Sequence, residues 1–381
     1  MTIPGFTSTA SKRPSALFGR ADAGPRQVTR TDGCRVWDAE GREYIDLIMA
    51  LGSVALGYGH PAVTRAVTEA AKSGAVGPLS PTLEARVAER LVDVLPGVTW
   101  IRFLKTGAEA VAAAVRIARA ATGRDRVITC GYHGWLDWCQ QGPGIPSAVT
   151  QLRREIRFND IADLRSAVEE FGPVACIVIE PIIDGPQDIA WLTELRQVAS
   201  GTGTCLVFDE IKTAFRVACG GVAEQTGVTP DLMVVGKALG NGYPIAAVGG
   251  AEALFSTVED TWISSTLATE FVSLAAADAV IDVFETESVT EALADSGAML
   301  FGFFTGAPRE FPDVVSGVHG VPQMCYLSFA SDEVSGAVSR AAAERGLLFK
   351  RNAYNFVSLA HSRDVIDRCI AILREALESV R

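Results

Sequence analysis

The stretch "CLVFDEIKTAFRVACGGVAEQTGVTPDLMVVGKALGNGYPIAAVGG", residues 205–250, holds three short apolar runs, each bounded by polar or turn residues. These runs are "CLVFDE" (205–210), "LMVVGK" (232–237) and "IAAVGG" (245–250). Similar runs lie upstream: "WIRFL" (100–104), "RVITC" (126–130) and "ACIVIEP" (175–181). Helical patterns separate several of them, at 108–123, 163–172 and 191–203. Apolar strands that alternate with helices predict an α/β fold, with a mostly parallel sheet covered by helices on both faces.

The composition is that of a globular enzyme. The chain has 381 residues, of which 48% are hydrophobic and 21% charged, enough for a large core and two lobes. A formal net charge of -11 and the lack of a basic run argue against nucleic acid as a partner. No apolar stretch is long enough for a membrane span or a secretory signal, so we expect a cytoplasmic protein without membrane contact.

The eight cysteines are scattered and form no C-x-x-C pair, which predicts buried free thiols rather than a disulfide framework or a metal site.

The two ends of the chain differ from its middle. Residues 34–47, "CRVWDAEGREYIDL", resemble a small hairpin, and the region from about 270 onward is mainly helical with a few short strands. We therefore expect a large sheet domain over 56–268. A smaller α+β domain would be built from 1–55 and 269–381.

Ligands of such folds bind beyond the carboxyl ends of the strands, and here those ends are polar. The segment Thr106-Gly107-Ala108 leads from a strand into a helix whose first amides favour a phosphate, although Thr106 as an ordinary helix cap is the alternative. "CGYHGWLDW" (130–138) offers aromatic rings to a flat ligand, or else forms an apolar plug between loops.

Two further strand ends carry charge. Asp209 follows a buried strand and needs a cation, which a protonated ring nitrogen would supply; a helix cap or a structural salt bridge is the alternative. Lys237 ends another strand, and is either a solvated strand end or an amine whose pKa burial lowers until it can act as a nucleophile. A phosphate cradle, a stacking aromatic ring, a buried carboxylate and such a lysine are the contacts of pyridoxal 5'-phosphate.

Residues 207–250 resemble the central signature of the class III aminotransferases, in the group that includes glutamate-1-semialdehyde 2,1-aminomutase. The spacing from Asp209 to Lys237, "GVTPDL" between them and the glycine-rich turn after Lys237 carry the resemblance. Other segments follow in the family's order: "YIDLIMALGSVALGYGHPAV" (44–63), "FLKTGAEAVAAAVRIAR" (103–119), "YHGW" (132–135), "VIEP" (178–181) and "SSTLATE" (264–270).

The resemblance implies fold type I, a Schiff base of pyridoxal phosphate on Lys237, and a homodimer with active sites at the subunit interface. Asp209 would pair with the ring nitrogen, between Ile211 on one ring face and Tyr132 on the other. The remaining cofactor contacts that we expect are the 106–108 loop, His133, Glu180, and Thr266 of the partner subunit.

Three departures from the family pattern stand out. Ala108 replaces a residue that usually carries a hydroxyl, and Lys212 stands where many relatives have glutamine. The segment 136–149 is shorter than the gating loop of the aminomutase, which argues against intramolecular amino transfer because a gate retains the intermediate.

We therefore expect an aminotransferase that uses a donor such as glutamate and a carbonyl acceptor such as a keto sugar, a cyclitol ketone or a natural-product intermediate. An aminomutase is the nearest alternative; an epimerase or decarboxylase on the same cofactor, or a catalytically silent binding subunit, are more distant ones. The residues that could reach a substrate, each with a structural or surface role as its alternative, are Arg216, Arg351, His361 and Glu270.

Overall fold

The computed structural model describes residues 2–381. The chain forms two compact units, each with its own core. The larger unit is Ala62–Glu287, and the smaller one joins the residues up to Pro61 with Ser288–Arg381.

The elements are numbered here along the whole chain. The strands are β1 (Val28–Asp32), β2 (Arg35–Asp38), β3 (Glu43–Asp46), β4 (Trp100–Leu104), β5 (Arg126–Cys130), β6 (Arg153–Glu155), β7 (Val174–Ile179), β8 (Cys205–Asp209), β9 (Leu232–Val235), β10 (Ala246–Gly250), β11 (Val315–Val321), β12 (Met324–Phe329), β13 (Leu347–Leu348) and β14 (Asn355–Phe356). The helices are α1 (Pro14–Phe18), α2 (Met49–Gly52), α3 (Pro61–Lys72), α4 (Thr82–Val94), α5 (Gly107–Thr122), α6 (Ser147–Thr150), α7 (Ile161–Phe171), α8 (Ile189–Thr202), α9 (Gly221–Thr226), α10 (Phe255–Asp260), α11 (Phe271–Thr286), α12 (Val289–Glu310), α13 (Asp332–Glu344) and α14 (Arg363–Glu378).

The larger unit contains a seven-stranded sheet in the order β4-β10-β9-β8-β7-β5-β6. The neighbours from β9 to β6 pair in parallel, whereas β10 is antiparallel to both β4 and β9. The predicted α/β fold with a mostly parallel sheet is confirmed. Because the parallel strands run the same way, their carboxyl ends share one edge of the sheet.

Helices cover both faces of this sheet. On β7, Cys176 and Val178 belong to the core cluster that contains the apolar face of α5, while the alternate residues Ile177 and Ile179 are also 0% exposed. Side chains alternate between the two faces of a strand, so full burial of both sets means that neither face meets solvent here.

The smaller unit has two sheets of its own. One has the order β1-β2-β3-β13, and its β2–β3 pair is the predicted hairpin, with Val36 opposite Tyr44. The other has the order β11-β12-β14. Helices α12 and α14 pack on each other, as do α13 and α14.

The predicted domain boundary at 269 falls before α11, but that helix packs within the larger unit. Arg90 on α4 donates to Asp278 on α11, with an Nη1–Oδ1 distance of 2.7 Å, and also binds Asp282 and Glu285. An apolar helix that is tied to α4 in this way stays with the sheet unit, so the boundary lies after Glu287.

Two further expectations from the sequence concern membrane-spanning segments and the state of the cysteines. No helix in residues 2–381 has the length and apolar character that spanning a bilayer requires. All eight cysteines are free thiols; Cys219 is partly exposed and the other seven are buried.

Candidate active site

The amino terminus of α5 is shaped by a capping box. The Thr106 hydroxyl accepts from the Glu109 amide at 3.2 Å, and the Glu109 carboxylate accepts from the Thr106 amide at 2.9 Å. Thr106 is therefore the helix cap that the sequence offered as an alternative, and its hydroxyl also donates to Glu109. The helical hydrogen bonds begin at Ala110, so the amides of Gly107 and Ala108 lie outside that ladder, at the positive end of the helix dipole.

Loops from three strands meet closely at this helix end. A Cβ atom added to Gly107 would lie 2.5 Å from Ile211 Cδ1, on the loop after β8. One added to Gly134, on the loop after β5, would lie 2.6 Å from Ala108 Cβ. Gly134 has φ of 102° and faces the backbone of Ala108, so that position requires glycine, whereas at Gly107 only the end of the Ile211 side chain would have to move. The result is a narrow cradle at the carboxyl edge of the sheet.

Asp209 and His133 form a buried pair behind this cradle. His133 Nδ1 lies 2.8 Å from Asp209 Oδ2, and the two residues are 3% and 4% exposed. The other Asp209 oxygen accepts from the Ile211 amide at 3.3 Å. Since Nδ1 donates to the carboxylate, His133 fixes the orientation of Asp209. The sequence predicted His133 only as a cofactor contact, whereas in the structure this residue supports Asp209.

The ring of His133 is itself held in place. It stacks on Trp138, with ring centroids 6.2 Å apart and an angle of 23° between the planes. The His133 Nε2 atom has no hydrogen-bond partner within the described part of the chain. Trp138 thus belongs to the apolar packing that the sequence offered as one role for this loop.

Glu180, at the end of β7, connects two neighbouring loops. One carboxylate oxygen accepts from the Tyr132 amide at 2.9 Å, and the other lies 2.8 Å from Lys212 Nζ. The Glu180 and Lys212 side chains are only 7% and 12% exposed, so this ion pair is largely shielded from water. The sequence alone did not predict the pairing of Lys212 with Glu180.

Lys237 follows β9 and is partly buried at the start of a 3-10 turn, Lys237–Gly240. Its backbone is left-handed, with φ of 46°, a conformation that is strained for a residue with a side chain. Desolvation, with a smaller effect from Lys212, lowers the pKa of the Lys237 amine to about 8. At pH near 8 about half of the amine is therefore unprotonated and able to act as a nucleophile or base.

Two expected contacts are open to solvent. The Tyr132 side chain is 64% exposed, so its ring is accessible from outside the chain, and burial of its remainder raises its pKa. Thr266 is also exposed, in a segment with Trp262 at 86% and Leu267 at 52%.

The four residues suggested for substrate contact lie in different surroundings. Glu270 pairs with Lys105 at 2.7 Å and caps α11. In the smaller unit, Arg351 bonds to Asp332 and Ser335, and His361 Nδ1 bonds to Ser358. Arg216 is fully buried in the larger unit, where burial lowers its pKa to about 10.

The second carboxylate of the Asp209-Glu210 pair has a structural role. Glu210 is fully buried and accepts from the amides of Val222 and Ala223 at 3.0 and 2.9 Å, at the start of α9. The helix-cap alternative therefore applies to Glu210, whereas Asp209 is held by His133 and the Ile211 amide.

These groups match the chemistry of pyridoxal phosphate. The amides at Gly107 and Ala108 suit a phosphate, the Asp209 carboxylate suits a protonated ring nitrogen, and the Lys237 amine suits an aldehyde. Ile211 lies close to Gly107, so an apolar side chain lies beside these amides.

Comparison with known proteins agrees with this chemistry. The family described as aminotransferase class III matches residues 19–380. Glutamate-1-semialdehyde 2,1-aminomutase of Neisseria meningitidis serogroup A is 30% identical over 416 aligned residues, covering 99% of this chain and 96% of the relative. The enzyme of the same name from Roseiflexus castenholzii is 32% identical, covering 97% and 93%.

Solved structures show the same fold. An omega-transaminase from Sphaerobacter thermophilus superposes with a TM-score of 0.89 at 24% identity, covering 100% of this chain and 95% of that one. A glutamate-1-semialdehyde-aminomutase from Pseudomonas aeruginosa gives 0.83 at 21% identity, covering 93% and 88%. The chain belongs to the class III aminotransferases. These are enzymes that depend on pyridoxal phosphate, and the predicted family, fold type and cofactor are thereby confirmed.

Proposed function

We propose that this protein transfers an amino group from a donor such as glutamate to a carbonyl acceptor, with Lys237 and Asp209 as its catalytic residues. The observation that carries the proposal is the arrangement within one unit of a lysine with a lowered pKa, a carboxylate oriented by His133, and the open amides of α5. Pyridoxal phosphate, when bound, supplies an electron sink for the charge that develops on the substrate carbon.

Each residue has a task in this proposal. Lys237 would hold the cofactor, and its amine would move a proton as general base and acid. The Asp209 carboxylate would stabilise a proton on the ring nitrogen. Gly107 and Ala108 would bind the phosphate through their amides, and Ile211 and Tyr132 would contact the ring.

Borohydride reduction followed by peptide mapping tests the role of Lys237. We expect the reduced cofactor on the peptide that contains Lys237, and neither label nor turnover in Lys237→Ala. A label on another lysine, or wild-type turnover in the variant, would exclude the proposal.

An aminomutase remains the second candidate, because the curated relatives named above carry that name. The segment between the 3-10 turn Asp137–Cys139 and α6 is short. This supports an aminotransferase, because so short a segment leaves little chain for a loop that closes over the active site. Stoichiometry separates the two. A transaminase forms one keto acid per amine from an external donor, whereas an aminomutase needs no donor.

We propose an oxygenated carbonyl compound as acceptor, such as a keto sugar, a cyclitol ketone or a natural-product intermediate, on the basis of the resemblance of "YHGWLDW" and "ALGNGYPIAAV" to relatives from such pathways. The enzyme loaded with pyridoxamine phosphate would be screened against carbonyl compounds. Return of the spectrum of the aldehyde form identifies an acceptor.

The proposed assembly is a homodimer in which Thr266 of the partner subunit completes the phosphate site. Its support is a group of exposed apolar side chains on the larger unit, Val76, Leu79, Trp262 and Leu267, named here the Trp262 patch. The Phe271 amide donates to Ala75 at 2.9 Å, so the chain near Leu267 lies beside the chain near Val76. An exposed apolar patch is typical of an interaction surface.

We also propose a cytoplasmic location. The eight free thiols support it, because such thiols persist in a reducing compartment.

A further inference from the structure

Lys212 lies two residues beyond Glu210 on the loop after β8, and its ammonium is held by Glu180. The Nζ–Oε1 distance is 2.8 Å, and both side chains are nearly buried. The second oxygen of Glu180 already accepts from the Tyr132 amide. Glu180 therefore has its charge matched by Lys212 and both of its oxygens occupied.

The charged groups that act on Lys237 come from the ends of β8, the neighbour of β9 in the sheet, and of β7, the strand beyond it. Lys212 and Arg216, on the loop after β8, disfavour its ammonium form. Glu180, at the end of β7, and Asp209, at the end of β8, favour it. Asp209 is engaged with His133, which leaves Glu180 as the carboxylate whose influence depends on Lys212.

Lys212 thus affects Lys237 in two ways. Its positive charge repels the ammonium form of Lys237 directly. It also neutralises Glu180, the carboxylate that would otherwise act as a counter-ion for that ammonium. Both effects have the same sign, and the low exposure of Lys212 and Glu180 limits their screening by water.

We propose that Lys212, held by Glu180, is a positioning residue that keeps the Lys237 amine unprotonated at neutral to mildly alkaline pH. The inference rests on the proposed role of Lys237 as the lysine that holds the cofactor. It goes beyond that role, because it assigns to a particular ion pair the part of the activation of Lys237 that burial does not supply.

The test measures Lys237 in the protein without cofactor, so it does not depend on turnover. The rate at which a trace of acetic anhydride labels Lys237 is followed against pH by mass spectrometry, which gives the pKa of its amine. In Lys212→Met we expect that pKa to rise by about 1 pH unit or more. In Glu180→Gln we expect it to fall, since Gln keeps an acceptor for the Tyr132 amide but loses the charge.

Two variants complete the design. Lys212→Arg retains the positive charge and should restore the wild-type value. Lys72→Met removes an exposed lysine that pairs with Glu69, outside this cluster, and should leave Lys237 unchanged. Circular dichroism and thermal unfolding show that each variant is folded.

The result that overturns the inference is a folded Lys212→Met protein in which Lys237 titrates as in the wild type. An equal rise in Lys212→Arg would also overturn it, because the effect would then be one of shape rather than charge. Borohydride mapping in the same variants separates this from the proposed function. If the cofactor is still fixed on Lys237 while its titration is unchanged, only the role of Lys212 fails.

Discussion

Lys237 combines a strained backbone with a poorly solvated amine. A left-handed conformation costs of order 1 kcal/mol for such a residue, and burial penalises its ammonium form. Both effects destabilise the protein without cofactor. They are tied to function, because a lysine that is fully solvated and protonated at neutral pH cannot attack an aldehyde.

From this we predict that Lys237→Gly makes the cofactor-free protein more stable, by about 1–3 kcal/mol, while it abolishes activity. The gain depends on pH. Because the folded pKa of about 8 is below the usual 10.5, the native state is penalised most below pH 8, and the penalty disappears as pH rises to 10.5. Chemical unfolding of both proteins across this range measures the difference, which should be largest below pH 8. A variant less stable than wild type throughout would contradict the argument.

His133 is a second residue whose effect is indirect. Its hydrogen bond to the Asp209 carboxylate is buried, and a bond to a charged group is worth about 1.5–3 kcal/mol. We predict that His133→Phe weakens pyridoxal phosphate binding and lowers kcat/KM by about 10- to 100-fold. His133→Asn should recover part of the loss, because the Asn amide can donate a hydrogen bond to the Asp209 carboxylate. His319→Phe, in the smaller unit, serves as the control and should leave cofactor affinity unchanged.

At the scale of single elements, the end of α5 offers a gain-of-function prediction. Relatives usually carry a hydroxyl where this chain has Ala108, and the Thr106 hydroxyl is already used in the capping box. Ala108→Ser adds one donor beside the open amides. We expect it to tighten cofactor binding about fivefold, as one net hydrogen bond of about 1 kcal/mol implies. Ala112→Ser, on the same helix, is the matched control. Fluorescence titration of the cofactor measures both.

Local sequence patterns were sufficient to predict most helices and strands, but not to predict which residues of different elements are in contact. The Thr106-x-x-Glu109 signature marks the capping box, and the alternation of apolar runs predicted the sheet. The reversed direction of β10 was also within reach, since a parallel crossover needs a longer connection than 236–245 provides. The pairs His133–Asp209 and Lys212–Glu180 could not be predicted from the sequence, because they depend on which strand ends are adjacent in space.

At the scale of the whole molecule, the proposed homodimer assigns the subunit interface to the Trp262 patch. We predict that Trp262→Arg converts the dimer to a monomer and lowers cofactor affinity at least tenfold, because Thr266 of the partner subunit is lost with the interface. Ile189→Arg is the control, since Ile189 is 59% exposed on α8, away from the patch segments. Sedimentation velocity measures the mass of each. A wild-type protein that sediments as a monomer, with full activity, would contradict this assembly.

The buried thiols give the molecule a set of internal reporters. Cys34, Cys325 and Cys369 lie in the smaller unit, and the rest, including the partly exposed Cys219, lie in the larger one. A thiol reagent reaches a buried sulfur only when the surrounding structure opens, so each cysteine records the opening of its own neighbourhood. Pulse alkylation followed by peptide mapping would therefore time the unfolding of the two units independently, without any engineered probe.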